Sequence, residues 1–378
     1  MHCTRHLCHA AKMAFQTPPE VIFRNVLRHH KTVTASRTAS SGSGLPSHYQ
    51  AAVLKDLGQP MVVQMLPMPT NIKKDQILVE VEAAAVNFAD ILKAAGQYQV
   101  KATVPYVPGV ELCGHVRAVG EGVKNFHTGQ KVVGLASKVD GAFAEYCLLN
   151  TQSVLPVPEA MSAVTAASMV ISYGTSMMAL TLTAKVKAGE TVLVTAAAGA
   201  TGMAAVDIAA HVLGTEVIAV CGGAEKCALA RERGAHHTID YNSENLREKV
   251  KEITKGRGVN VVLDQVGGDI FLQCLKSIAE EGRLVTVGYA SGKIPSIPAN
   301  LLLLKSCSVH GVFWGNTAVT NPPAFSKSIQ DTMTALQQGK IKPYCGQTFP
   351  LNQVNEAFDL VKSRKSTGKV IITPSLNA

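Results

Sequence analysis

The sequence predicts an α/β protein that combines a doubly wound parallel sheet with a second, β-rich domain. Between residues 191 and 287, short apolar segments alternate with helical segments. Strands buried on both faces of a parallel sheet have this continuous apolar character. Between residues 109 and 134, six glycines separate Val-rich runs, which is typical of a tightly turned β domain. The 378-residue length suits two or three domains.

Composition excludes several classes of protein. Hydrophobic residues make up 47% of the chain and charged residues 17%, which excludes wholesale disorder. No apolar run reaches the roughly 20 residues that a membrane-spanning helix needs. The net charge is +9, but the chain has no Lys/Arg stripe with interleaved aromatic residues. Nucleic-acid binding is therefore not expected.

Residues 1–47 form a separate, acid-poor leader whose only acidic residue is Glu20. Apolar residues recur at helical spacing from residue 22 to 27, and Arg24 and Arg28 lie on another side of that helix. The Ser/Gly-rich run 36–44 then predicts a flexible linker. Arg-rich, acid-poor amphipathic leaders are typical of mitochondrial import signals. The alternative is that residues 1–47 are an extension without a targeting signal, on a cytoplasmic protein.

The nine cysteines include no CxxC pair, and several stand in apolar surroundings. An odd number of such residues is typical of free thiols in a reducing compartment, so no disulfide framework is expected.

The expected elements follow in chain order. Strands are expected at residues 53–57, 61–65 and 76–86, and helical periodicity follows over residues 159–184. The middle section predicts strands at 191–195, 216–220, 236–241, 259–266 and 283–287, which alternate with helices at 202–213, 224–233, 244–254 and 269–279. The tail predicts a helix at 355–363 and a closing strand at 369–373.

The turn after the strand at 191–195 reads Ala-Ala-Ala-Gly-Ala-Thr-Gly. It keeps a reduced form of the dinucleotide fingerprint, in which Gly199, Ala200, Thr201 and Gly202 open the helix. Small residues let the backbone approach a pyrophosphate closely, and the helix N-terminus supplies N–H donors. A tight turn without a ligand is the alternative, but the βα series that follows favours a nucleotide site.

The end of the second strand of this series indicates the choice of cofactor. NAD enzymes usually place an acid there for the ribose 2′-hydroxyl, whereas this chain has Gly222. Lys226 lies one helical turn further on and could meet a 2′-phosphate, although it could equally be a solvated helix residue. Glu225 argues for NAD, but an acid in the first turn also suits the helix dipole. The sequence therefore favours NADP(H).

Five motifs carry a resemblance to a known family. They are VNFADILKAAGQY (86–98), VPYVPGVELCGHVRAVGEGV (104–123), VKAGETVLVTAAAGATG (186–202), ERGAHHTIDY (232–241) and VVLDQVGGDIF (261–271). In this order, across residues 49–374, the chain resembles the zinc-lacking quinone oxidoreductases of the medium-chain dehydrogenase/reductase superfamily, near zeta-crystallin. The resemblance implies a GroES-like catalytic domain from both ends of the chain, at residues 48–172 and 309–378. It also implies an inserted Rossmann domain, at 173–308, that binds NADP(H).

Zinc is not expected. Zinc-dependent relatives place a Cys where this chain has Asn87 and a His where it has Val110, and neither residue offers a thiolate or an imidazole. The four closely spaced cysteines of a structural zinc lobe are also missing. Without a Lewis acid, hydride can still pass to a quinone or an enone, because the conjugated acceptor spreads the developing charge.

The resemblance implies three catalytic residues. Asn87 is expected on the ribose or nicotinamide side, Tyr98 as a hydrogen-bond donor to the substrate oxygen, and Thr175 near the nicotinamide. Tyr98 could instead be a packing aromatic residue. Asp90 is expected to be a structural acceptor. Leu92 stands where some quinone reductases have a tyrosine, which makes the pocket more apolar and makes enoyl or alkenal substrates plausible.

The resemblance also implies further cofactor contacts. Tyr241 is expected near the 2′-phosphate, with Lys226. Val266 and Gly288 are expected on loops that close over the cofactor, and Phe313 along its edge.

These features together predict a zinc-independent, NADPH-dependent oxidoreductase acting on a quinone or an α,β-unsaturated carbonyl. The alternatives are a non-catalytic NADPH-binding protein, crystallin-like or RNA-binding, and an enoyl-thioester reductase. A homodimer is expected as well, because residues 301–304 are four leucines and residues 306–312 predict an apolar edge strand of the parallel sheet. The alternative is that the chain after Trp314 covers this edge.

Overall fold

The computed structural model describes residues 44–136 and 141–374. The predicted leader, residues 1–47, lies outside the described residues except for its last four positions. Within the described part of the chain, no helix is both long and apolar enough to cross a membrane.

Fifteen strands and eleven α-helices make up the described residues. The strands are β1 (His48–Val53), β2 (Val62–Pro67), β3 (Gln76–Val86), β4 (Glu111–Val119), β5 (Lys131–Leu135), β6 (Tyr146–Asn150), β7 (Val154–Pro156), β8 (Thr191–Thr195), β9 (Glu216–Cys221), β10 (His237–Asp240), β11 (Val259–Asp264), β12 (Ile278–Thr286), β13 (Ser308–Gly311), β14 (Cys345–Pro350) and β15 (Lys369–Thr373). The helices are α1 (Phe88–Ala94), α2 (Ala163–Ala167), α3 (Val170–Met177), α4 (Ala200–His211), α5 (Ala224–Glu232), α6 (Leu246–Ile253), α7 (Gly268–Ser277), α8 (Ala299–Lys305), α9 (Trp314–Thr320), α10 (Pro322–Gln337) and α11 (Val354–Lys362).

A six-stranded parallel sheet has the order β10-β9-β8-β11-β12-β13. All five residues of β8 are buried, as expected for a central strand covered on both faces. Helices α4 to α8 connect the strands that follow one another in the sequence, and the order reverses between β8 and β11. This is the doubly wound arrangement, so the predicted α/β fold class is confirmed. In such sheets, ligands bind beyond the carboxyl ends of the strands at the reversal point.

A second sheet, of seven strands, is mostly antiparallel. Its order is β14-β15-β3-β4-β5-β7, and β6 also pairs with β3. The last strand of the chain, β15, pairs antiparallel with β3 near its end, with Val370 opposite Val86. Strands that precede and strands that follow the parallel sheet in the sequence therefore meet in one sheet, as the GroES-like resemblance implied. The ribbon of β1 and β2 forms a separate antiparallel pair.

The largest buried cluster joins the two sheets. It contains Cys113 from β4, Val194 from β8, and Trp314 from α9. A Cβ on Gly174 of α3 would lie 2.6 Å from the Trp314 ring, so only glycine allows this packing. The parallel sheet therefore packs against the second sheet through one shared hydrophobic core.

Sequence patterns located the regular elements well. Residues 76–86, 191–195 and 369–373 form strands with the predicted bounds. The strand predicted at 53–57 is wrong, because β1 ends at Val53 and the chain then turns toward Gly58. The predicted domain divisions fall inside α3 and β13, and the divisions themselves stay a prediction.

Candidate active site

The phosphate-binding candidate is the turn between β8 and α4. Gly199 caps the helix with an extended backbone, and α4 runs for twelve residues from Ala200. A Cβ on Gly202 would lie 2.2 Å from the carbonyl oxygen of Ala196, so the turn requires glycine there. The helix N-terminus directs its free N–H groups out of this turn, which is the geometry that binds phosphate.

A segment from the far end of the chain lies against this turn. The N–H of Gly368 donates to the carbonyl oxygen of Ala198 at 2.7 Å, and Gly199 and Gly368 form an isolated parallel bridge. Gly368 has a φ of +55°, and a Cβ there would lie 2.3 Å from the Tyr344 ring. The residues just before β15 thus form one wall of the candidate phosphate site.

The end of β9 gathers the residues predicted for the adenosine side. Gly222 lies directly beneath Tyr241, because a Cβ on Gly222 would be 2.5 Å from the tyrosine hydroxyl. The ammonium group of Lys226 donates to the carbonyl oxygen of Arg364 at 2.5 Å. Burial and neighbouring Cys221 raise the pKa of Tyr241, and the Arg364 charge opposes them. One exposed position at the end of β9 is therefore surrounded by Lys226, Tyr241 and Arg364.

An acid does stand near this position, on β10. One carboxylate oxygen of Asp240 accepts hydrogen bonds from the N–H of Gly223 at 2.8 Å and of Asn242 at 3.0 Å. These backbone donors hold the pKa of Asp240 below its ordinary value. The carboxylate is therefore engaged in fixing the turn after β9.

A buried polar cluster lies where β15, β3 and β4 run side by side. The ammonium group of Lys369 contacts the Asn87 Oδ1 at 2.6 Å, the Glu111 Oε2 at 2.9 Å and the Ser172 Oγ at 3.1 Å. Lys369 is 1% exposed and Glu111 is not exposed at all. The other Glu111 oxygen accepts from the N–H of Ile171 at 2.9 Å. Both charges are thus paired and hydrogen-bonded, as burial requires.

The Asn87 side chain is fixed by this cluster. Its Nδ2 donates to Glu111 and to the carbonyl oxygen of Ala85, both at 3.3 Å. Its backbone N–H donates to the Asp90 carboxylate at 2.8 Å, at the start of α1. Asp90 is therefore a structural acceptor, as expected.

The two other predicted catalytic residues are half-buried. Tyr98 follows α1, and burial together with the Asp90 carboxylate raises the pKa of its hydroxyl. Thr175 lies on α3, three residues after Ser172 of the buried cluster. Asp90 therefore interacts with both Tyr98 and Asn87, which puts Tyr98 on the Asn87 side of the buried cluster. Thr175 lies on α3, the helix that contributes Ser172 to the same cluster.

The remaining predicted cofactor residues, Val266, Gly288 and Phe313, follow the carboxyl ends of β11, β12 and β13. The Val266 carbonyl oxygen accepts from the N–H of Ser291, which joins the two loops. A Cβ on Gly288 would have only the Gln265 carbonyl oxygen nearby, at 3.8 Å, so the space beside it is open. Phe313 is 45% exposed. These positions lie at the same edge of the sheet as the turn after β8.

Among the described residues, no group of three or more His, Cys, Asp or Glu side chains is placed to hold a metal ion. His115 is instead held by Glu82 at 2.7 Å and by Glu159 at 3.0 Å. His127 is exposed and contacts the carbonyl oxygen of Thr128.

Comparisons with known proteins identify the family. Residues 73–159 match the alcohol dehydrogenase GroES-like domain, and residues 200–331 match the zinc-binding dehydrogenase family. The chain is 43% identical to quinone oxidoreductase-like protein 2 of Bos taurus, over 89% of this chain and 95% of that protein. This chain belongs to the quinone oxidoreductase family. A homolog of that protein in Nematostella vectensis is also 43% identical, over 95% of this chain and 98% of its own length.

Two solved structures that contain NADPH have the same fold. The Escherichia coli quinone oxidoreductase complexed with NADPH is 29% identical, with a TM-score of 0.77 over 86% of this chain and 100% of that chain. Mycobacterial Rv1454c complexed with NADPH is 30% identical, with a TM-score of 0.78 over the same shares. The family resemblance read from the sequence motifs is confirmed.

Sequence reasoning missed several residues of this site. Glu111 lies inside a quoted motif and Lys369 begins the predicted closing strand, yet neither was assigned a role. The available signal was a charge at the start of an otherwise apolar strand, which burial makes costly unless it is paired. Arg364 and Gly368 gave no local signal, because their partners lie far away in the sequence.

Proposed function

We propose that this quinone oxidoreductase family member transfers hydride from NADPH to a quinone or an α,β-unsaturated carbonyl, without zinc. The observation that carries the proposal is the contact between the Lys369 ammonium group and the Asn87 Oδ1 at 2.6 Å. Asn87 stands where zinc-dependent relatives place a cysteine ligand. The Lys369 ammonium group already binds both the Asn87 Oδ1 and the Glu111 carboxylate, so these oxygens are engaged within the protein, and Val110 offers no further ligand for a divalent cation.

The residues fit NADPH. The turn from Gly199 to Gly202 would hold the pyrophosphate, because its glycines leave room for the backbone and α4 supplies N–H donors. Lys226 and Arg364 would pair with the 2′-phosphate beside Tyr241. Val266, Gly288 and Phe313 would line the remainder of the cofactor.

Bound NADPH supplies the hydride. The protein must then stabilise the negative charge that develops on the substrate oxygen and protonate the product. In a conjugated acceptor, the π-system spreads this charge, so one hydrogen-bond donor and solvent suffice. Tyr98 is the proposed donor, because a tyrosine hydroxyl is protonated near neutral pH, and burial raises its pKa further. Lys369 is a positioning residue that fixes Asn87, and Thr175 lies on the adjoining helix.

Leu92 favours one substrate class within this proposal. It is half-buried on α1, two residues after Asp90, and it cannot donate a hydrogen bond. An apolar wall at this point suits alkenals and enoyl groups better than quinones, so reduction of an enoyl thioester is the second candidate.

An isologous homodimer completes the proposal. Among the described residues β13 pairs only with β12, which leaves its outer edge open. Leu303 and Leu304 on the adjoining α8 are 81% and 75% exposed. A second copy would cover both features at once. The leader would direct this dimer to mitochondria.

The test is NADPH oxidation with a benzoquinone, an alkenal and a 2-enoyl thioester. We expect turnover with at least one of them. Tyr98→Phe should lower kcat/KM about fivefold, because one hydrogen bond is worth about 1 kcal/mol, and should leave the NADPH Kd unchanged. Tyr49→Phe, in the β1–β2 ribbon, is the matched control. Tight NADPH binding without any turnover would favour the non-catalytic alternative, a crystallin-like or RNA-binding protein.

A further inference from the structure

A cavity lies at the opposite edge of the parallel sheet from the phosphate-binding turn. It has a volume of about 420 Å³ and is lined by residues from α6, from the loop after it, and from the ends of α7 and α8. Gly258 and Ile278, which line it, stand at the starts of β11 and β12. The turn after β8 stands at the other end of these parallel strands. The two sites are therefore distinct.

Positive charge dominates this cavity. Its lining includes five cationic side chains and one acid, Glu248; the cations are Arg247, Lys251, Arg257, Lys276 and Lys305. Within the described residues, none of these five forms an ion pair. Neighbouring Lys249 on the same helix, by contrast, pairs with both Glu244 and Glu252. The cavity is therefore lined by cationic side chains that have no acidic partner among the described residues.

Helix stability explains only part of this arrangement. Lys251, Lys276 and Lys305 lie in the last turns of their helices, where a cation stabilises the helix dipole. Arg247 lies in the first turn of α6, where the dipole disfavours a cation. Arg257 lies beyond the helix, and its Nε donates to the Thr254 carbonyl oxygen at 3.3 Å. Arg257 thereby also stabilises the carboxyl end of α6, so Arg247 is the cation for which helix stability gives no account.

The lysine at the base of the cavity is held in place. The Lys305 ammonium group donates to the carbonyl oxygens of Lys276 at 3.0 Å and Ile278 at 2.6 Å. Burial lowers the pKa of Lys305, and the nearby Arg247 charge lowers it further. Cys307 acts in the opposite direction and raises this pKa. An anion in the cavity would relieve the repulsion between these cations.

We propose that this cavity is a binding site for a small, multiply phosphorylated ligand. Its volume falls within the range of about 300–1,000 Å³ that is typical of small-molecule sites. Two arginines supply the planar donor groups that bind phosphate oxygens in pairs, and three lysines add charge. No aromatic side chain is among the described residues of the lining, so bases of a single-stranded nucleic acid would find no stacking surface. The proposal does not rest on the proposed hydride transfer.

The test is calorimetric titration of the full chain with inorganic tripolyphosphate, at low ionic strength and with saturating NADPH to fill the other phosphate site. We expect saturable binding of one tripolyphosphate per chain. Arg247→Gln with Arg257→Gln should weaken this binding at least tenfold. Lys55→Gln with Lys340→Gln removes the same charge from exposed positions outside the cavity, and should leave it unchanged. Thermal unfolding of each variant verifies the fold.

Two results would overturn the assignment to this cavity: no saturable binding at millimolar tripolyphosphate, or equal affinity in the wild type and the double arginine variant. A third arm uses a 20-nucleotide RNA. If the RNA binds more tightly than tripolyphosphate and the arginine variant abolishes its binding, the cavity serves a nucleic-acid backbone, and the assignment to a small ligand is wrong.

Discussion

Lys369 and Glu111 form a buried ion pair at 2.9 Å between the first residues of β15 and β4. The two strands flank the end of β3, so the pair brackets Asn87, the residue that follows β3. Lys369 also contacts Asn87 at 2.6 Å, across 282 residues of sequence. The pair therefore links the closing strand of the chain to the candidate active site.

Breaking this pair should destabilise the protein. Lys369→Met leaves Glu111 buried without a counter-charge, and removing one partner of a buried pair costs about 3–5 kcal/mol. Lys369→Met combined with Glu111→Gln should recover a substantial part of that loss. Urea denaturation measures both, with Lys340→Met as the exposed control. A double variant no more stable than Lys369→Met would contradict the pairing.

Cofactor preference should depend on Lys226. Gly222 replaces the acid that would bind a ribose hydroxyl, so NADPH should bind at least about tenfold more tightly than NADH, or about 1.4 kcal/mol. Lys226→Ala should narrow this gap, and Lys226→Arg should preserve it. Fluorescence titration of the wild type and of both variants with each cofactor measures the six affinities that decide the matter. Equal Kd values for NADPH and NADH in the wild type would show that the 2′-phosphate is not recognised.

Local patterns were sufficient to predict the parallel sheet and insufficient to assemble the site. The apolar run of β8 and the glycines after it specify a strand, a turn and a helix within a dozen residues. The placement of Gly368 against Ala198 depends on the return of β15 beside β3, which no local period encodes. Tertiary packing alone brings Lys369 to Asn87.

The same limit applies outside the site. The four leucines at 301–304 suggested an apolar surface, and they form most of the short helix α8, whose last turn leaves Leu303 and Leu304 exposed. The strand expected at 306–312 is shorter, at Ser308–Gly311, and is the edge strand as predicted. Helical periodicity predicts such short elements poorly, because two helical turns contain too few residues to show a repeating pattern.

The open edge of the parallel sheet should mediate a dimer. Leu303→Asp with Leu304→Asp should release monomers, because these side chains are exposed and their charges would meet at the two-fold axis. Val309→Asp should do the same at greater cost in stability, since Val309 also packs on the buried core. Light scattering of the wild type should give about twice the 39.9 kDa chain mass. A mass of one chain at micromolar concentration would show that the edge needs no partner.

The leader should direct import. Residues 1–47 fused to a fluorescent protein should enter mitochondria, because the arginines attract the import machinery and acids are nearly absent. Arg24→Glu with Arg28→Glu should weaken entry. Diffuse cytosolic fluorescence from the unmutated fusion would contradict the predicted mitochondrial import.

The most direct measurement follows the hydride itself. The protein is first treated with a strong chelator and its metal content is verified, and then supplied with NADPH deuterated at C4, in separate pro-R and pro-S forms, together with an enone. We expect unchanged turnover after chelation and one deuterium on the β-carbon of the product from one of the two forms. Two results would contradict the proposed zinc-free hydride transfer. One is stoichiometric zinc in the purified protein whose removal by the chelator abolishes activity, and the other is NADPH binding with no deuterium in any product.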